Sequence, residues 1–213
     1  MIQCFYGFDP REEVGCHTFV SSVLHHTSEP VSFTPIRGLQ KDGSNSFTYS
    51  RFKVPEMMGH KGWALFVDGA DMIVKADIAE LWEKRDYRTA VQVAQHDYKT
   101  KHDRKYVGTP METTNEDYPR KNWSSVMLIN CAHPNWRRVR DDMSGSQLHR
   151  FTFIDPPFLG HLPLTWNWLA DEYGENPEAK LLHWTAGIPA WNSYKDSPHA
   201  KDWWDARYKV TNA

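Results

Sequence analysis

Six residues, Phe66-Val67-Asp68-Gly69-Ala70-Asp71, carry the most specific chemistry in this chain. An apolar run ends in two carboxylates separated by two small residues, so the backbone can turn tightly and a ligand can approach closely. Carboxylates held near one point repel one another unless a cation lies between them. Their hard oxygens suit Mg²⁺ or Mn²⁺, which in turn bridge phosphate oxygens. The plainer alternative is a turn in which Asp71 caps whatever follows. A second concentration runs Leu181-Leu182-His183-Trp184-Thr185-Ala186-Gly187-Ile188-Pro189-Ala190-Trp191 and suits a loop that closes over a ligand. Alone, His183 reads as a hydrogen-bonded structural histidine. Beside the two aspartates it is the natural third ligand of a borderline metal such as Mn²⁺.

Other catalytic signatures are missing. No GxGxxG follows the first apolar segment and no GxxxxGK[ST] occurs, so neither a dinucleotide fold nor a P-loop is supported. GxSxG and HExxH are absent as well. His25 and His26 are neighbours on a predicted helix and face different ways. His96 and His102 lie in a polar stretch and read as solvated loop histidines rather than zinc ligands. Asn122-Trp123-Ser124 matches a glycosylation acceptor, but it leads into a predicted buried strand without a secretory leader ahead of it, and is discounted.

The elements that must position these residues alternate between strand and helix. Ile2 to Phe8 reads as a buried strand stopped by Asp9-Pro10. Glu12 to His26 has near-helical apolar spacing, with Glu12 and Glu13 at its positive end. Val31 to Ile36 alternates as a strand, Gly38 to Ser46 reads as a loop, and Phe47 to Met58 as a short helix broken near Pro55. Strands follow at Ala64 to Val67, Met72 to Val74, Ala90 to Ala94 and Val126 to Ile129. Asp77 with Glu80 resembles a capping box for a helix through Trp82. His96 to Lys121 has the least structured composition, and Ser197-Pro198 predicts a helix start. This order predicts an α/β domain with a mostly parallel sheet, whose ligands bind beyond the carboxyl ends of its strands.

Composition sets outer limits. At 213 residues one domain is the expectation, covering 1–213. With 25 Lys and Arg against 27 Asp and Glu, the net charge is −2, leaving no overall basic field for nucleic acid. The small basic run Lys99, Lys101, Arg104 and Lys105 reads as a solvated loop. No apolar stretch reaches 18 residues, so no membrane span is expected. The start of the chain has no secretory pattern, and Cys4, Cys16 and Cys131 form no CxxC pair, so a reducing, cytoplasmic location is expected. Ten Trp, nine Tyr and ten Phe are an excess of large aromatics, which suits surfaces that stack on sugar rings or bases as well as cores. Trp203 and Trp204 are assigned to core packing, with an acceptor, a membrane surface or a partner subunit, the last implying a homo-oligomer, as alternatives.

Five blocks occur in an order that resembles the family 8 glycosyltransferases of the GT-A fold, a group that includes glycogenin-like enzymes and bacterial lipopolysaccharide galactosyl- and glucosyltransferases. Phe47-Thr48-Tyr49-Ser50-Arg51-Phe52-Lys53-Val54-Pro55 resembles the family's Tyr-Ala-Arg-Leu…Pro helix. Phe66 to Asp71 followed by Ala76-Asp77-Ile78-Ala79-Glu80-Leu81-Trp82 resembles its metal-binding Asp-x-Asp strand and Asp-Ile-x-Glu-Leu. Asn122 to Asn130 resembles its Asn-Ser-Gly-Val-Met-Leu-Ile-Asn strand, Leu162 to Asn167 its Leu-Pro-x-x-Trp-Asn, and the His183 segment its His-x-x-Gly-x-x-Lys-Pro-Trp ending.

The departures are specific. The Asp-x-Asp is one residue longer here, and Gly187 lies four residues after His183 rather than three. Pro189 stands where the family has the Lys that neutralises a departing diphosphate, with Lys195 a candidate substitute. Gln147 and His149 stand where an Asp-Gln pair is expected.

The resemblance implies a GT-A domain, with a Rossmann-like nucleotide-binding half, that moves a hexose from a nucleoside diphosphate sugar. UDP-glucose or UDP-galactose is the implied donor, with retention of configuration, Mn²⁺ or Mg²⁺ as cofactor and an unidentified acceptor. It implies Arg51, Asp68 and Gln147 as catalytic residues, and Asp68, Asp71 and His183 as metal ligands. Tyr6, Gly7, Asp9, Arg51, Gly69, Ala70, Ser124, Ser125, Gly187 and Trp191 are the implied donor-binding residues. Two alternatives remain, a nucleotidyltransferase and a non-catalytic carbohydrate-binding protein.

Overall fold

The computed structural model describes residues 1–38 and 47–211. Beyond Gly38, the predicted loop to Ser46 lies outside the described residues. In chain order the elements are β1 (Ile2–Gly7), α1 (Glu13–His26), β2 (Val31–Ile36), α2 (Val54–Met57), β3 (Trp63–Val67), β4 (Met72–Val74), α3 (Ile78–Trp82), β5 (Val91–Ala94), β6 (Arg104–Lys105), β7 (Thr113–Thr114), β8 (Val126–Asn130), α4 (Gly145–His149), β9 (Leu159–Leu162), β10 (Trp168–Leu169), α5 (Ala170–Tyr173), β11 (Leu181–His183) and α6 (Ala200–Thr211).

Six of the described strands form one sheet in the order β2-β1-β3-β8-β5-β9. Only β8 runs against its neighbours, so the sheet is mostly parallel as expected. A smaller sheet, β10-β11-β4, lies beside it. The strands of the large sheet are apolar along nearly their whole length because both faces are covered. Alternate residues divide between two cores: Ala64, Phe66, Met127 and Ile129 meet Phe52, Trp136 and Phe151 on one face. Leu65, Val67, Val126 and Leu128 meet Phe19, Val23, Ile78 and Leu81 on the other.

Caps explain several boundaries. Asp9 accepts from the Arg11 amide at 3.0 Å and starts the turn that leads into α1. Asp77 caps α3, accepting from the Ala79 amide at 2.8 Å, but only half of the predicted capping box forms, since the Glu80 carboxylate pairs with Lys180 instead. Pro55 does not break the helix after Phe47; it lies in the first turn of α2, where its missing N–H leaves no bond unmade. Ser197-Pro198 precedes α6 without capping it by side chain, because the Ser197 hydroxyl is buried and unbonded.

The largest departure is residues 96–121, where composition predicted little structure. They fold into a lobe containing the β6–β7 hairpin. Buried Glu172 ties the lobe down, accepting from the Thr100 hydroxyl at 2.5 Å and the Lys101 amide at 2.9 Å. The Asn115 amide then donates to Thr100 Oγ1 and the His102 carbonyl, both at 2.9 Å. Polar side chains thus replace the apolar core that this segment lacks.

Candidate active site

Two strand ends meet at the Asp68–Asp71 turn. The Asp68 amide donates to the Ser125 carbonyl at 2.9 Å, fixing the end of β3 against the approach to β8. Gly69 takes φ +80°, a conformation costly for any residue with a Cβ, and so accommodates the extra residue between the aspartates. The Trp184 amide donates to the Asp71 carbonyl at 2.9 Å, and β11 pairs with β4 so that His183 lies opposite Met72. Asp68, Asp71 and His183 consequently offer ligand atoms that all lie within 4.8 Å of one another.

The electrostatics are those of a cation site. His183 Nε2 is 3.3 Å from Asp71 Oδ2, while its Nδ1 is 3.0 Å from Asn167 Oδ1. The Asn167 amide donates to Ser125 Oγ at 2.9 Å and the Asn122 carbonyl at 3.1 Å, so its oxygen is the end that faces His183. Asn167 therefore holds the proton on Nδ1 and turns the Nε2 lone pair toward the aspartates, the arrangement that metal-bound histidines show. Burial pulls the imidazole down, yet Asp71, Asp68 and Asp171 outweigh it and raise it above its ordinary value. Burial pushes the Asp68 carboxyl up to about 6, with Arg51 opposing and Asp71 adding to the effect. Asp71 Oδ1 is buried without a hydrogen-bond donor, and the buried Asp68 Oδ1 is met by the Arg51 guanidinium. Two carboxylates, one with an unsatisfied buried oxygen, and one imidazole nitrogen form a donor set that fits Mn²⁺ or Mg²⁺.

Arg51 completes this corner. Its Nη1 lies 2.6 Å from Asp68 Oδ1 in an ion pair and donates to the Ser124 carbonyl at 3.1 Å. The guanidinium packs over Phe47 and Phe66 with 5.3 and 5.2 Å to the ring centroids, so its planar charge is buried and rigid. The site opens into a cleft of about 800 Å³. Ser124 and Ser125 line it too, and Ser124 Oγ is 2.7 Å from His149 Nδ1.

Several expected residues are placed elsewhere. Gln147 is exposed and outside the cleft lining; its carbonyl accepts from the Ser144 amide at 2.9 Å in a capping box, and His149 lines the cleft in its stead. Tyr6 packs against Phe19 and Phe33, and Asp9 is held by Arg11, so neither lines the cleft described here. Gly7 faces Phe47, and Ala70 is buried between the two aspartates. Gly187 is buried behind Tyr194, whose ring occupies the space a side chain would need. Trp191 meets Tyr106 edge to face and is not among the residues that line the cleft. The excess Trp mostly serves packing: Trp136, Trp166, Trp184 and Trp203 are fully buried, and the described aromatics in the cleft wall are Tyr49, Tyr106 and Tyr118.

Sequence reasoning missed Lys105, Lys121 and His149 as cleft residues, and Asn167 as the partner of His183. Asn167 stood in a recognised block, so its signal was present. The lysines sat in a stretch whose polarity suggested only solvation.

The architecture is that of the GT-A glycosyltransferases. The galactosyltransferase LgtC, solved with donor and acceptor sugar analogues, superposes with TM-score 0.63 at 13% identity, covering 100% of this chain and 97% of that one. The bifunctional glycosyltransferase WbbM gives 0.64 at 12% identity, and GlyE of Streptococcus pneumoniae 0.62 at 13%. The chain spans about half of the WbbM chain and 62% of GlyE. At such identities the likeness is one of fold. No family model matches the chain. It is, however, 35% identical over 226 aligned positions to Protein CDI of Arabidopsis thaliana, covering 93% of this chain and 83% of that protein. The chain belongs to the family of Protein CDI.

Proposed function

We propose that this chain is a metal-dependent glycosyltransferase that moves a hexose from a nucleoside diphosphate sugar, UDP-glucose or UDP-galactose, to an acceptor with retention of configuration. The observation that carries this reading is the meeting of Asp68, Asp71 and His183 within 4.8 Å at the strand ends of a GT-A fold, on the wall of a cleft large enough for such a donor.

Asp68, Asp71 and His183 would hold the divalent cation, which supplies Lewis-acid neutralisation to a departing diphosphate, an effect worth several kcal/mol. Asn167 keeps the His183 imidazole in one tautomer and one orientation, so no reorganisation is needed at the moment of reaction. Arg51 holds Asp68 in place through its ion pair and gives the donor end of the cleft a fixed positive charge. Ser124 and Ser125 add hydroxyls along the same wall for the donor. Lys105, Tyr118 and His149 line the cleft beyond them.

Calorimetric titration with UDP-glucose and UDP-galactose, with and without Mn²⁺, tests this. Binding that requires Mn²⁺, with metal-dependent donor turnover lost in Asp68→Asn and an unchanged melting temperature, is the expected outcome. Wild-type turnover in Asp68→Asn removes the reading. Binding of free glycan without nucleotide favours a carbohydrate-binding protein instead.

A further inference from the structure

Two adjacent carboxylates on α5, Asp171 and Glu172, hold different parts of the molecule. Glu172 fastens the 96–121 lobe through Thr100 and Lys101. Asp171 turns instead to the segment after His183. Its Oδ1 accepts from the Thr185 amide and the Thr185 hydroxyl, both at 3.2 Å, and its Oδ2 accepts from the Ala186 amide at 2.5 Å.

The strand register explains why a side chain is needed there. β10 pairs with β11 in parallel, Trp168 opposite Leu182 and Leu169 opposite His183. At Ala170 the chain turns into α5, so the ladder stops level with the imidazole. Thr185 and Ala186 lie just beyond that point and are 9% and 0% exposed or less. Backbone N–H groups that leave a ladder inside a protein need another acceptor. The Asp171 carboxylate serves both, with charge-assisted bonds stronger than a carbonyl would make. One residue earlier, the Trp184 amide is held by the Asp71 carbonyl at 2.9 Å. The backbone leaving His183 is therefore fixed first by the turn that carries the aspartates and then by α5.

We propose that Asp171 is a positioning residue of the cation site: by holding the Thr185 and Ala186 amides it keeps the His183 imidazole where it can share an ion with Asp68 and Asp71. Asp171 is not among the residues that line the cleft, and it acts through the backbone rather than on the ion or the donor. Its part differs from that of Asn167, which sets the rotation of the ring, whereas Asp171 sets where the ring is carried. The assignment rests on the metal-site reading above.

The test is titration of Mn²⁺, with and without UDP, followed by electron paramagnetic resonance in wild type, Asp171→Ala, Asp171→Asn and Glu172→Gln, well below the melting temperature of each. Mn²⁺ affinity is expected to fall at least tenfold in Asp171→Ala, and less in Asp171→Asn, which keeps one acceptor oxygen. Glu172→Gln, a change at the next residue of the same helix, is expected to lower the melting temperature and leave Mn²⁺ affinity within twofold of wild type. A smaller loss in Asp171→Ala, or an equal loss in Glu172→Gln, overturns the assignment and leaves the metal-site reading standing. A wild-type protein that binds no Mn²⁺ under either condition overturns both. Should Asp171→Ala not fold, Asp171→Asn decides alone, and a loss there of less than threefold overturns the assignment.

Discussion

The chemistry of single residues here depends on what holds each one. His183 is a usable ligand because the Asn167 oxygen occupies its Nδ1 and leaves Nε2 facing Asp71. Replacing Asn167 by Leu removes that constraint without touching a ligand, and Mn²⁺ affinity is expected to fall by roughly 10- to 100-fold. Titration of Mn²⁺ followed by electron paramagnetic resonance measures the change; unchanged affinity would show that the imidazole is oriented by packing alone. Asp68, Asp71 and His183 were legible from the sequence because carboxylates two small residues apart, joined by a distant imidazole, form a recognisable set. Gln147 was misplaced for a local reason: one position in a five-residue helix decides whether a side chain caps the helix or faces the cleft, and Ser144 three residues earlier captures it.

Elements set the precision of the turn between β3 and β4. α1 packs on it so closely that a Cβ built on Gly15 would stand 1.7 Å from the Ala70 carbonyl oxygen, an overlap that backbone must move to relieve. Gly15→Ala is therefore expected to shift the Asp68–Asp71 turn, costing roughly 1–3 kcal/mol of stability and weakening Mn²⁺ binding with it. Urea unfolding and metal titration of the same variant check the two effects together; a stability and Mn²⁺ affinity equal to wild type would refute the contact. The strands and α1 were evident from their apolar patterns. The 96–121 lobe was hidden, since its order comes from Glu172, Asn115 and backbone hydrogen bonds, and polar residues in such networks look in a sequence like residues in water.

At the scale of the whole molecule, buried histidines tie stability to pH. His96 is 5% exposed, with Nδ1 2.9 Å from the Tyr173 hydroxyl and Nε2 unbonded, and burial lowers its pKa to about 3. The unfolded chain takes up this proton near the ordinary value of about 6.5 while the folded chain does not. The contribution is therefore full above that pH and is lost as pH falls toward 3, at about 1.4 kcal/mol per unit. Asp68 acts in the opposite sense, because a carboxyl raised to about 6 favours the folded state as pH drops from 6 toward 4. Unfolding of the metal-free protein between pH 7 and 4 is expected to show a pH slope shallower by about 1.4 kcal/mol per unit in His96→Leu. An identical slope in wild type and variant would place the imidazole in water.

By itself, the sequence determined the alternation of strand and helix, the apolar faces that form the sheet, and the residue types able to grip a divalent cation. These depend on neighbours a few positions away, where periodicity and turn chemistry act directly. Tertiary structure alone decided that Asn167 orients His183, that His149 and Lys105 enter the cleft while Gln147 and Trp191 do not, and that most of the Trp excess fills cores. Such choices depend on which distant segments pack together, and the energy that decides between a side chain in water and one against a partner exists only once the partner has arrived.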